Sequence, residues 1–131
     1  MKKVLVIEDD DALCWLLTSI LSAKYDVTVM NNGLEALGWL MDGNFPELIM
    51  SDLNMPSLNG IELLQKVRYS GYLRTIPVIV LSGDQNPEMK RQCLEMGAFK
   101  YMLKPFTPDA LLQEVDGGLD SKMSASVLKT M

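Results

Sequence analysis

Five short apolar runs punctuate the chain, and between them the apolar residues recur at helical intervals. The runs are Val4–Ile7, Asp26–Met30, Glu47–Leu53, Pro77–Ser82 and Phe99–Leu103. Long or β-branched side chains fill most of them, and Pro or Gly bounds several, which predicts strands. The second run, DVTVM, alternates apolar and polar and predicts a half-exposed edge strand. Between the strands, 11–23 lines up Leu13, Leu16, Leu17, Ile20 and Leu21, and 34–41 lines up Leu34, Leu37, Leu40 and Met41. Residues 60–69 repeat Ile61, Leu64 and Val67. Asn86-Pro87 opens a helix over 88–96 that Gly97 stops, and Thr107-Pro108-Asp109 opens a last one with Thr107 as N-cap.

Strands alternating with helices predict right-handed crossovers and a mostly parallel sheet covered on both faces. The fold class is therefore α/β, with a five-stranded, doubly wound parallel sheet. The domain is expected over 1–119. Residues 120–131 read as a C-terminal tail, either a continued helix or the start of a linker.

Composition narrows the function. With 131 residues and 48% hydrophobic content the chain suits one globular domain. A net charge of −5 argues against direct nucleic-acid binding and against an anionic membrane surface. The apolar run after Met1 is too short for a signal core or a membrane span, so a reducing, cytoplasmic setting is expected. Cys14 and Cys93 match no metal or redox spacing and read as small buried hydrophobes.

In an open parallel sheet, ligands bind beyond the carboxyl ends of the strands. Those ends carry chemistry here. The first strand runs into Glu8-Asp9, the third ends at Asp52, the fourth at Ser82-Gly83 and the fifth at Lys104-Pro105. Were the first and third strands neighbours, three carboxylates would face a hydroxyl and a lysine. Such acids need a countercharge, and a hard dication such as Mg²⁺ supplies one. A carboxylate with a free oxygen can then act as a nucleophile toward a phosphoryl group. Taken singly, each strand end reads as an ordinary turn or cap. Asp11 is expected at or near the N-cap of the first helix and Asp10 in the loop at the rim; Met55-Pro56 and Gly60 read as loop geometry.

Glu8-Asp9, SDLNMPSLNG (51–60), VLSG (80–83) and KPF (104–106) together resemble the response-regulator receiver domain of two-component signalling, the CheY-like fold. The likeness covers about residues 3 to 119, and the intervals of 30 residues from Asp52 to Ser82 and 52 from Asp52 to Lys104 are shared with it. The resemblance implies the strand order 2-1-3-4-5 of a flavodoxin-like (βα)5 fold. By position, Asp52 is the phosphoacceptor. Asp9 ligates Mg²⁺ (Mn²⁺ being an alternative), Glu8 acts largely through water, and the Asn54 backbone carbonyl completes the metal shell. Ser82, the Gly83 N–H and Lys104 hold the phosphoryl group, Lys104-Pro105 is a cis peptide, and Tyr101 is the aromatic switch residue.

The activity so implied is a switch that catalyses only its own aspartyl phosphorylation and dephosphorylation. The chain has no histidine, so the donor is a histidine kinase or histidine phosphotransfer protein. The face of the fourth helix, fifth strand and last helix would then regulate a downstream protein, an output domain or a phosphorylation-dependent dimer. Phe99-Lys100-Tyr101 departs from the Asp-Asp-Tyr that many transcription-factor receivers use in their dimer face. Two other readings fit less well. A dehalogenase-like phosphatase would place a second Asp where Asn54 stands, and a flavin-binding module would suffer repulsion of its phosphate by the acids after the first strand.

Overall fold

Parallel pairing fixes how the strands lie. β1 (Lys3–Ile7), β2 (Asp26–Met30), β3 (Leu48–Asp52), β4 (Val78–Ser82) and β5 (Lys100–Leu103) form one sheet in the order β2-β1-β3-β4-β5. The computed structural model describes residues 1–130, with side chains through Asp120. The helices are α1 (Asp11–Leu21), α2 (Gly33–Met41), α3 (Gly60–Tyr69), α4 (Pro87–Glu95) and α5 (Pro108–Thr130). The doubly wound α/β fold and the strand order agree with expectation, with element bounds moved by a residue or two. The division at residue 119 falls within α5; Leu119 is the last buried apolar residue among the described side chains.

Alternation along each strand splits the core between the two faces of the sheet. Val4 and Val6, Leu48 and Met50, Ile79 and Leu81 pack with Leu17 and Leu21 of α1 and Leu111 and Val115 of α5. Leu5 and Ile7, Ile49, Val78 and Val80 pack with Ala36 and Leu40 of α2, Leu63, Leu64 and Val67 of α3, and Cys93 of α4. β1, β3 and β4 are covered on both faces, which is why they read as unbroken apolar runs. β2 lies at one edge and is only partly covered.

Three expectations are corrected. The buried stripe of α1 is Cys14, Leu17 and Leu21, and Leu16 turns out to solvent. On α2, Ala36 and Leu40 face the core while Leu34 and Met41 are exposed. Both helices carry more leucine than one stripe can bury, so composition blurs which side faces in. The N-cap of α1 is Asp10, whose Oδ1 accepts from the N–H groups of Ala12 and Leu13 at 2.9 and 3.4 Å. Asp10 is the extended residue and Asp11 the first helical one, so only Asp10 can reach back to the free N–H groups of the first turn. Thr107 does cap α5, its hydroxyl accepting from Ala110 N–H at 3.1 Å.

The turn after β3 matters most for position. Asn59 and Glu62 exchange side-chain-to-backbone hydrogen bonds at the start of α3. Gly60 N–H donates to Leu53 O at 2.9 Å, folding the helix start back against the strand end. A Cβ at Gly60 would lie 2.6 Å from Asp52 O and 2.9 Å from Leu53 Cα. Both are main-chain atoms that cannot swing aside. Gly60→Ala should therefore lower stability by about 1–3 kcal/mol, seen as a lower urea midpoint at unchanged slope.

Candidate functional site

Register places the chemistry. Ile7 pairs with Ser51, so Glu8 and Asp52 follow at the same level on neighbouring strands. Asp52 pairs with Leu81, and Ser82 pairs with Leu103, so Ser82 and Lys104 lie just beyond on the same side. The carboxyl ends of four strands thus converge at one crevice, with Glu8, Asp52 and Ser82 all buried.

Lys104 reaches across it. Its Nζ donates to Asp52 Oδ1 at 2.9 Å and to Glu8 Oε1 at 3.2 Å. Burial alone would pull this ammonium down, but the hydrogen bond and charge of Asp52, joined by Glu8, outweigh it and hold Lys104 above the ordinary lysine range. Glu8 is 1% exposed. Burial pushes its carboxyl above the usual glutamate range, although the Asp10 N–H donated to Oε2 at 3.2 Å opposes this. The Lys104-Pro105 peptide is cis.

Asp9 completes an acidic group. Carboxylate oxygens of Glu8, Asp9 and Asp52 lie within 4.8 Å of one another. One lysine offsets only part of three negative charges, and Asp9 is open to solvent while its two neighbours are buried. That donor set suits a hard divalent cation, which takes carboxylate oxygens and keeps waters on its open side.

The other expected residues take varied positions. The buried Ser82 hydroxyl accepts from Asp84 N–H at 2.9 Å. Gly83 is exposed beside it, and Asn54 is exposed two residues past Asp52. Tyr101 is buried, its hydroxyl donating to Asp84 O at 2.7 Å. The Asp84 main chain therefore touches both, its N–H the serine and its C=O the tyrosine. The buried Cys14 thiol donates to Glu8 O at 3.1 Å and steadies the end of β1; burial and the charge of Glu8 push this thiol above the ordinary range. Sequence reasoning missed these roles of Cys14 and of the Asp10 and Asp84 main chains. A main-chain donor leaves no trace in residue type, and Cys14 reads as core because it is also core.

A parallel sheet in this order, with acids at its first and third strand ends facing a lysine beyond the fifth, defines a receiver-type α/β domain. Residues 4–116 match the family described as response regulator receiver domain. The chain belongs to that family, and with it to two-component signal transduction; the family is one of signalling domains rather than conventional enzymes. Protein RcaC of Microchaete diplosiphon is 37% identical over 115 residues, 86% of this chain and 17% of that protein. The chain spans two thirds or less of the length of the curated relatives it matches first. Among solved structures, chemotaxis protein CheY4 of Vibrio cholerae is 32% identical with a TM-score of 0.83, over 91% of this chain and 99% of that one. The Mn²⁺-bound form of response regulator Rcp1 is 27% identical with a TM-score of 0.77, over 89% and 91%. No helix among the described residues is long and apolar enough to cross a membrane.

A cation at this cluster competes with the proton on Glu8. Because Glu8 keeps its proton to higher pH than a free glutamate, divalent-cation affinity should fall as pH drops from neutral toward the ordinary carboxylate range. Calorimetric titration with Mn²⁺ over that range checks the direction, and Asp9→Asn should weaken binding by roughly tenfold or more.

Proposed function

We propose that the chain is the phosphoacceptor switch of a two-component system and that Asp52 takes the phosphoryl group. The observation that carries this reading is the Lys104 ammonium held at 2.9 Å from one oxygen of a buried aspartate, beside two further acids. Asp52 Oδ1 is engaged by Lys104 while Oδ2 accepts no hydrogen bond among the described residues, leaving an oxygen for in-line attack. The Asp52 oxygen attacks phosphorus, the phosphorus–nitrogen bond of a donor phosphohistidine breaks, and the imidazole leaves with the electron pair. Lys104 is already in place to share the charge on the phosphoryl oxygens. Ser82 accepts its hydrogen bond from Asp84, so its own proton is free to be donated to the phosphoryl group, next to the Gly83 N–H.

Glu8, Asp9, Asp52 and the Asn54 backbone carbonyl would hold Mg²⁺ or Mn²⁺, which when bound supplies the positive charge that balances acceptor and phosphoryl oxygens. The 131 residues contain no histidine, so the phosphoryl group comes from a histidine kinase or histidine phosphotransfer protein. The phosphorylated state acts through the face formed by α4, β5 and α5, with Tyr101 as the aromatic element, on a downstream protein, an output domain or a second receiver. We place this chemistry in the cytoplasm, where a small phosphodonor and Mg²⁺ are both available. The receiver unit is taken to end near residue 119, where the buried side chains of α5 end.

Incubation with acetyl phosphate and Mg²⁺ should add one phosphoryl mass, mapped to Asp52. Asp52→Ala should abolish it, and Lys104→Ala should slow it by roughly a hundredfold. A phosphoryl group that persists on another residue in Asp52→Ala overturns the assignment.

A further inference from the structure

Helices α2 and α3 leave an open groove between them. It measures about 630 Å³, and its lining includes Leu37 and Met41 of α2 and Glu62, Lys66 and Tyr69 of α3. The large side chains here are bare: Tyr69 is 88% exposed and Met41 67%, and Leu34 is exposed as well. Leu34, Gly38 and Met41 recur on one face of α2. A Cβ at Gly38 would meet nothing within 4 Å, so the middle of that face is low and another helix can lie close to it. Scattered exposed apolar residues are ordinary, whereas a contiguous set with a charged rim marks a contact surface.

The rim selects the occupant. Glu62 and Lys66 stand one turn apart on α3, both exposed, and neither forms an ion pair among the described residues. Glu62 Oε1 accepts from the Asn59 N–H instead. An acid and a base so spaced are complementary to the same helix turned end for end. The charge of the whole chain narrows the choice further. At −5, two copies repel over much of their surface. On α2 and α3 the acids Glu35 and Glu62 are cancelled by the bases Lys66 and Arg68. Acids and bases cancel on α4 too, but its Arg91 is already taken by Glu88 and Glu95 of the same helix.

We propose that the α2–α3 groove receives a second copy of the chain, in a two-fold pairing with the two α3 helices antiparallel. Tyr69 of each copy fills the groove of the other over Leu37 and Met41, and two Glu62–Lys66 pairs close the rim. A two-fold contact requires each copy to offer both a knob and a hollow on one face, and an exposed ring beside an open groove offers both. Tyrosine suits the role of anchor, because it brings a large apolar area with few torsions to fix. The lining residues named belong neither to the acidic crevice nor to α4, β5 and α5. The pairing therefore needs no phosphoryl group and stands apart from the reading of Asp52.

Sedimentation equilibrium of the whole unlabelled chain, from about 1 μM to about 500 μM, tests this. The mass should rise to twice that of the single chain. Tyr69→Ala should weaken association by roughly tenfold or more. Lys66→Glu sets acids against acids and should abolish association over that range, as should Glu62→Lys, which sets bases against bases. An equimolar mixture of these two charge variants should pair again, because each acid then meets a base. Circular dichroism checks that Glu62→Lys folds without its cap; if it does not, Tyr69→Ala and Lys66→Glu decide. A parent that stays single throughout overturns the pairing and leaves the groove to a helix of another protein. Association that survives both Tyr69→Ala and Lys66→Glu, or that appears only after Asp52 is labelled, lies on another face and overturns it as well. A mixture of folded charge variants that stays single overturns the antiparallel arrangement.

Discussion

Two buried acids on adjacent strands are held by one lysine from a third, and the rest of the site is arranged around that contact. Glu8 and Asp52 sit level because β1 and β3 pair in parallel at that register. Without Lys104 the same register would leave two buried carboxylates facing each other with no cation. The lysine arrives from beyond β5, two strands away from β3 in the sheet, so the contact holds only when the full strand order is in place. The sheet is thus a condition of the site's charge balance as well as a scaffold for it.

That balance is deliberately incomplete. Lys104 answers for less than the charge that Glu8, Asp9 and Asp52 bring together. The surplus lies on the solvent side, where Asp9 is exposed and a hydrated cation can enter. The four acids of the opening turn therefore divide by task. Glu8 is buried against the lysine, Asp9 faces outward, Asp10 caps α1, and Asp11 lies in the first turn, where a negative charge suits the helix dipole.

Much of this was legible in the sequence because strand ends in a parallel sheet share one edge. Once five apolar runs are set in alternation with helices, Glu8, Asp52, Ser82 and Lys104 fall on one edge of the sheet, and the strand order that makes the first and third strands neighbours followed from the receiver likeness. What stayed hidden has a common cause. Asp10 and Asp11 are chemically the same, and only the backbone angle at Asp10 decides which one caps the helix. Leu16 and Leu34 are exposed leucines on helices with leucine to spare. Cys14 acts on a main-chain partner and Asp84 acts through its own main chain, neither of which residue type announces. Tyr101, expected as the aromatic switch residue, has its ring buried and its hydroxyl on Asp84 O, a partner that only the fold supplies.

The position of that tyrosine bears on how loudly the protein can speak. In the proposed switch, the ratio between stimulated and unstimulated signal is capped by the fraction of resting molecules that already present the inward ring. The hydrogen bond from the Tyr101 hydroxyl to Asp84 O is one of the contacts that set this fraction. Contrast between the two signalling levels is then set by how far the resting population leans as much as by how tightly the phosphorylated one closes, and a substitution that loosens Tyr101 from Asp84 would lower background before it lowered output.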